Sequence, residues 1–237
     1  MKILVSQNKE IATKQIANEI INSVISKPSL VLGVATGKTM IPVYKNLVKM
    51  SRKERIDWSR VNFFMIDEYI DVQDSRSRFD YYLNSALFKP LKIKDNKINR
   101  IQADSKNKNF SREYENRIKK LGYADLLLLG IGKNGHIAFN EPGSSRDSKT
   151  RIIKISSSTI KSNFKNIKNS PKKAITIGIS TILKSKRIII AAFGKEKSKI
   201  IKKTLYCDIC KEIPATFLKL HEKVLVVLDK AAASRIS

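Results

Sequence analysis

The chain has 237 residues, 42% of them hydrophobic, with 47 Lys and Arg against 21 Asp and Glu, for a formal net charge of +26. That length suits one α/β domain with a full core. No apolar run approaches the roughly 20 residues of a membrane span, and the opening MKILVSQNKE lacks the apolar stretch of a secretory signal, so a cytoplasmic location is expected. The positive charge raises a nucleic acid or an acidic substrate as partner, but it is mostly lysine spread along the whole chain, the composition that A/T-rich codons produce, without a helix-turn-helix or an aromatic-glycine RNA-binding motif, so no nucleic-acid partner is expected.

In chain order the first expected elements are a strand over Lys2–Val5 and a helix over Asn8–Lys27. The strand Leu30–Val34 then runs through ATGKT into a helix over Met40–Met50. This looks at first like a nucleotide-phosphate loop, but a Walker loop needs four residues between its first glycine and the Gly-Lys-Thr. Here Gly33 and Gly37 are separated by three, and Leu32 stands where the first glycine belongs. A strand, a short turn and a helix start still bring free backbone N–H groups together, which suits another kind of phosphate. Thr36, Gly37, Lys38 and Thr39 are the candidates for holding it.

The apolar strand Val61–Ile66 is followed by Asp67-Glu68-Tyr69, read as a polar stretch at the strand's end. A carboxylate there, inside a crevice, is a candidate base, because desolvation disfavours its charge. Helices are expected over Phe79–Leu87 and Asn109–Leu121, then the strand Leu126–Ile131 and the run GIGKNGHIAFNEPGSS. His136, one of two histidines, lies between Gly132, Gly135 and Pro142, with Asn134 and Glu141 close in sequence. An imidazole with an orienting carboxylate is a general acid–base unit.

The remaining expected strands are Arg151–Ile155, Ala174–Ile179, Arg187–Ala192 and Val224–Leu228, with helices over Ile179–Lys184, Lys195–Leu205 and Ala215–Leu220. Lys165 and Lys197 are candidate anion-binding cations, Lys197 because it follows a strand and the turn Phe193-Gly194 at a helix start. Cys207 and Cys210 form a lone C-x-x-C with no second pair to complete a zinc site. Strands apolar on both faces and spaced by helices imply a Rossmann-like α/β fold: one domain over residues 1–237, a mostly parallel sheet, helices on both faces. Ligands of such sheets gather beyond the carboxyl ends of the strands, which would bring Ala35–Thr39, Asp67–Tyr69 and Gly132–Glu141 together.

ATGKT, MIDEY and above all GIGKNGHIAFNEPGSS resemble the signature segments of the glucosamine-6-phosphate deaminases, related to the 6-phosphogluconolactonases, and the resemblance runs from about Leu30 to ATFLKLH. It implies a sugar-phosphate enzyme with no cofactor and no metal. Asp67 would be the base at substrate C2, His136 would open the ring, Glu141 would be its partner carboxylate and Asn134 its orienting amide. Lys165 and Lys197 would grip the phosphate, and Ser144, Ser145 and Arg151 resemble contacts of regulated relatives. Two segments depart from the pattern: in the phosphate loop Lys38 and Met40 replace a small residue and a proline, and further on Lys165 replaces an arginine. A lactonase-like hydrolase, or a non-enzymatic sugar-phosphate sensor, is the alternative on the same fold. Neither reading fixes whether the chain is a monomer or a homo-oligomer.

Overall fold

The computed structural model describes residues 1–70, 72, 74–101, 107, 109–156, 159–160 and 170–236. Its elements are β1 (Lys2–Ser6), α1 (Lys9–Ser26), β2 (Val31–Val34), α2 (Met40–Lys53), β3 (Asn62–Met65), β4 (Asp67–Ile70), α3 (Phe79–Leu83), β5 (Ile98–Asn99), α4 (Phe110–Lys120), β6 (Leu126–Gly130), β7 (Arg151–Lys154), β8 (Lys173–Thr176), α5 (Ile179–Leu183), β9 (Ile188–Ala192), α6 (Ser198–Tyr206) and β10 (Val224–Asp229). A single π-helical stretch, Asn84–Phe88, continues α3, and tighter 3-10 turns cover Lys195–Lys197 and Pro214–Leu220.

Seven strands form one sheet in the order β1-β10-β9-β6-β2-β3-β5, and each pair of neighbours is parallel. Consecutive residues of β2, β9 and β10 are all buried, so both faces of the sheet are covered, as their uninterrupted apolar character requires. The edge strand β1 differs, since Ile3 and Val5 stay exposed. Local signals place the first helix: the Asn8 side chain accepts the Ile11 amide and so caps α1.

From β2 the chain moves outward to β3 and β5, then returns to the other side of β2 with β6 and proceeds to β9 and β10. The strand order therefore reverses between β2 and β6, and a crevice opens at their carboxyl ends.

Three expectations are corrected. β7 and β8 do not join the parallel sheet; with β4 they make a separate antiparallel sheet in the order β4-β8-β7. Residues 67–70, expected as a polar stretch at the end of the preceding strand, form a strand of their own, pairing Asp67 with Thr176 and Tyr69 with Ala174, and all four are buried. The strand expected over Ala174–Ile179 ends at Thr176, after which the Ile177 amide donates to the Ile66 carbonyl and ties the small sheet to the end of β3. A satellite core of Tyr69, Phe139, Ile155 and Ala174 fills the space beside it, with Phe79 packed against Tyr69 at a 4.5 Å ring separation.

Candidate active site

A cavity of about 600 Å³ lies at the switch point. Of the residues singled out from the sequence, it is lined by Thr36, Gly37, Lys38, Thr39, Asp67, Asn134, His136 and Lys197, while Glu141 stands behind the imidazole. Lys165 lies outside the described residues. The three polar stretches expected to meet do meet, one from the end of β2, one continuing from β3 and one from the end of β6.

The loop after β2 turns through Gly37 at φ +92°, a conformation only glycine takes without strain, and the Gly37 carbonyl accepts the Met40 amide at 3.0 Å. Thr39 precedes α2 without a capping side-chain hydrogen bond; with the Met40 amide tied to Gly37 and Pro42 lacking an N–H, the Ile41 amide is the one of the first three helical positions left for another acceptor. Lys38 is exposed at the rim.

Asp67 is 7% exposed, and its Oδ1 has no hydrogen-bond partner among the described residues. Burial, reinforced by the neighbouring Glu68 charge, pushes its carboxyl up to about 8. Glu68 is buried on the other side of the strand. Its Oε1 accepts the amides of Tyr69 (2.8 Å) and Phe79 (2.9 Å), and its Oε2 accepts that of Asp80 (2.9 Å).

The histidine loop is built almost entirely from its own hydrogen bonds. The Gly132 amide donates to the His136 carbonyl at 2.9 Å, and the Gly135 amide to the Gly132 carbonyl at 3.0 Å. Asn134 works in two directions: its Oδ1 accepts the His136 amide at 3.2 Å and its Nδ2 donates to Glu141 Oε2 at 2.7 Å. His136 Nδ1 stands 3.5 Å from Glu141 Oε1, an ion-pair separation longer than a good hydrogen bond. The Thr159 hydroxyl donates to that same Oε1 at 2.6 Å and the Ser156 hydroxyl at 3.2 Å. Burial alone would raise the Glu141 carboxyl; the adjacent His136 imidazole and the hydrogen bonds from Thr159 and Asn134 outweigh it and bring it down to about 2. Glu141 is therefore a fixed anion across the working pH range.

Behind the loop, fully buried Asn140 donates to the carbonyls of Ile137 (3.0 Å) and Ile177 (2.8 Å) and accepts Arg151 Nη1 at 2.9 Å. Arg151 Nη2 also donates to Ser144 Oγ at 3.1 Å, so this guanidinium serves to brace the loop.

Lys197 reaches across from the helical turn after β9. Its Nζ donates to the Ile131 carbonyl at 2.7 Å, and burial lowers the ammonium's affinity for its proton. Two of its three donor positions remain for a ligand.

Several contributors were not read from the sequence. Lys9, the first residue of α1, lines the cavity, as do Phe79 and Thr159. Lys9 carries no sequence signal, being one lysine of many. Thr159 became recognisable only once its hydroxyl was seen on Glu141. Among the described residues no cluster of three His, Cys, Asp or Glu side chains is placed to hold a metal ion, and Cys207 and Cys210 are free thiols.

The profile of the family described as Glucosamine-6-phosphate isomerases/6-phosphogluconolactonase matches residues 6–227. A glucosamine-6-phosphate deaminase of Thermoanaerobacter sp. (strain X514) is 39% identical over the whole chain and 95% of its own length. One of Clostridium botulinum (strain Loch Maree / Type A3) is 40% identical, over the whole chain and 99% of its own length. Among solved structures, a monomeric glucosamine-6-phosphate deaminase superposes with a TM-score of 0.96 at 34% identity, covering 99% of this chain and 100% of that one. The 6-phosphogluconolactonase of Trypanosoma brucei shares the fold with a TM-score of 0.79 at 20% identity, covering 100% of this chain and 98% of that one.

Proposed function

The chain belongs to the glucosamine-6-phosphate isomerase/6-phosphogluconolactonase family, and we propose that it is an enzyme converting glucosamine 6-phosphate and water to fructose 6-phosphate and ammonia. The observation that carries this reading is the buried, unpartnered Asp67 carboxyl facing the same cavity as the His136 imidazole and its Asn134–Glu141 support. A hydrolase of lactones needs no base at C2, whereas an aldose–ketose proton transfer does.

The phosphate would sit in the Thr36–Thr39 turn, with the Ile41 amide at the head of α2 and Lys197 beside it and Lys38 and Lys9 at the rim. That anchors one end of the sugar and leaves the other against His136. The imidazole passes a proton from the C1 hydroxyl to the ring oxygen, breaking the C1–O5 bond and giving the open-chain aldehyde. Glu141, anionic and pinned by Thr159 and Asn134, favours the transient imidazolium. Asp67 then takes the C2 proton while the C1 oxygen gains a proton given up by the C2 ammonium, and Asp67 returns its proton at C1, leaving a C2 iminium. The iminium adds water and releases ammonia.

The raised Asp67 carboxyl fits this order of events. At rest the residue is largely protonated near neutral pH; the substrate's ammonium, once in the cavity, brings the positive charge that favours the carboxylate. The base is thus formed where its substrate is bound.

The test is release of ammonia and fructose 6-phosphate from glucosamine 6-phosphate by the purified protein. No turnover across pH 6–9 would overturn the assignment. Lys197→Met is expected to raise KM about 10–100-fold with a smaller change in kcat, since it removes one charged hydrogen bond from the anchored end. Steady-state kinetics check it; an unchanged KM would remove Lys197 from the phosphate site.

A further inference from the structure

Glu68 takes no part in the proton transfers just described, yet it is the most completely buried carboxylate beside them, with 0% of its surface exposed. We propose that Glu68 is a positioning residue that carries the resting negative charge of the Asp67–Glu68 pair and thereby keeps the proton on Asp67 until substrate arrives; this rests on the reading of Asp67 as the base.

Burial raises both carboxyls, but the donors that offset it reach only one of the two neighbours. Glu68 receives three backbone amides, and Arg78 Nε stands 3.7 Å from its Oε2. Both Glu68 oxygens are acceptors, the pattern of an ionised carboxylate, since a protonated one would turn one oxygen into a donor. Asp67 has no such donors, and its Oδ1 is bare. Two carboxyls adjacent in sequence and both buried resist sharing two charges, so the pair ionises in steps. The first charge settles where donors are waiting, on Glu68.

The other groups packed around Asp67 do not change this. Tyr44 of α2 donates its hydroxyl to the Ala35 carbonyl, Tyr114 of α4 donates to the carbonyls of Met65 and Asn99, and burial raises both phenols above their ordinary range. Tyr82 of α3 is likewise raised by burial, to about 12. The lysines lining the cavity are Lys197, tied to Ile131, and Lys9, Lys38 and Lys133, all three exposed; Glu196 also lines it, and the His136 imidazole faces Glu141.

Glu68 also fastens the first amides of α3, and with them Phe79, which lines the cavity and stacks on Phe139 at a 9° interplanar angle. A purely mechanical role is therefore the rival, and the two separate by charge. Following carboxyl ¹³C signals against pH in the unmutated protein, with Asp67 assigned by its loss in Asp67→Asn and Glu68 by its loss in Glu68→Asp, should show Glu68 titrating below Asp67. The reverse order overturns the proposal, whether or not other variants fold. Glu68→Gln should lower the Asp67 midpoint by about one pH unit, and the acid limb of kcat/KM with it. Glu68→Asp, which keeps the charge but shortens the reach to α3, should lower Tm and leave that limb near its place. A folded Glu68→Gln protein with an unmoved Asp67 midpoint overturns the proposal. The ¹³C readout needs no turnover: an inactive protein with the expected titration order would refute the enzymatic reading and leave the charge partition standing.

Discussion

Replacing Asp67 by Asn is expected to reduce ammonia release by on the order of 10³-fold or more while making the protein more heat-stable, increasingly so as pH rises. The loss follows from removing the only proposed acceptor for the C2 proton. The gain follows from linkage. Burial and Glu68 hold the folded-state carboxyl up at about 8, against an ordinary 3.8. A group raised in this way contributes its stability fully below its unfolded value, and that contribution is lost as pH rises toward the folded value. Ionising Asp67 in place therefore works against the fold at pH 8, and asparagine, neutral at every pH, escapes the penalty. The separation of about four units sets a ceiling of roughly 5 kcal/mol, and about 2–4 kcal/mol at pH 8 corresponds to a Tm increase of roughly 4–12 °C for a chain of this size. At pH 4 the two proteins should melt together. Thermal scans at pH 4 and pH 8 check the stability, and the ammonia assay the activity. Equal Tm increments at both pH values would contradict a buried, proton-bearing carboxyl, and residual turnover near the unmutated rate would remove Asp67 from the chemistry.

The second large effect is expected at a residue with no chemistry of its own. A methyl group on Gly132 would lie 2.3 Å from Cε1, 2.4 Å from Nδ1 and 2.5 Å from Nε2 of His136, inside contact distance of the whole ring. Neither partner can give way easily, because the Gly132 amide is bonded to the His136 carbonyl and the imidazole side stands against Glu141. Gly132→Ala should therefore displace the imidazole and destabilise the protein by about 1–3 kcal/mol, as overpacking of rigid groups does. It should lower kcat by about 10²-fold or more, since displacement of about 1 Å suffices for that. A moved His136 ¹³Cε1 resonance together with the kinetic loss would establish the cause. Full activity in Gly132→Ala would show that the ring need not rest on this glycine.

The parallel sheet was legible because strands such as Leu126–Gly130 and Ile188–Ala192 are apolar at every position, which only burial on both faces explains. The small antiparallel sheet was not. Its first strand begins Asp-Glu-Tyr, which reads as a turn because the reasons for burying two carboxyls lie elsewhere: three amides, two of them from α3, await Glu68, and a cavity lies in front of Asp67. Short apolar segments such as Arg151–Lys154 and Lys173–Thr176 announce a strand but not its partner or direction. In the site, spacing picked out His136, Asn134 and Glu141 because all three lie within one loop. Thr159 and Lys9 are brought in by folding from distant positions, each with a side chain common on any surface. Lys38, a departure from the family's loop, proves to be exposed at the rim rather than wedged beneath the helix.

The partnership of β1 with β10 also has a bearing on how the molecule is made. Lys2 pairs with Leu225, and Ser6 with Asp229. At ribosomal rates of about 5–20 residues per second, the opening strand waits on the order of 10–45 s for the segment beside which it will lie. During that interval α1 can already settle on α2, its neighbour in the finished molecule, while the backbone of β1 has no strand to pair with and Leu4 no completed core to pack against. Nascent chains halted before Val224 should accordingly expose this opening segment to chaperones and proteases, and protection of it should appear only with the last strand.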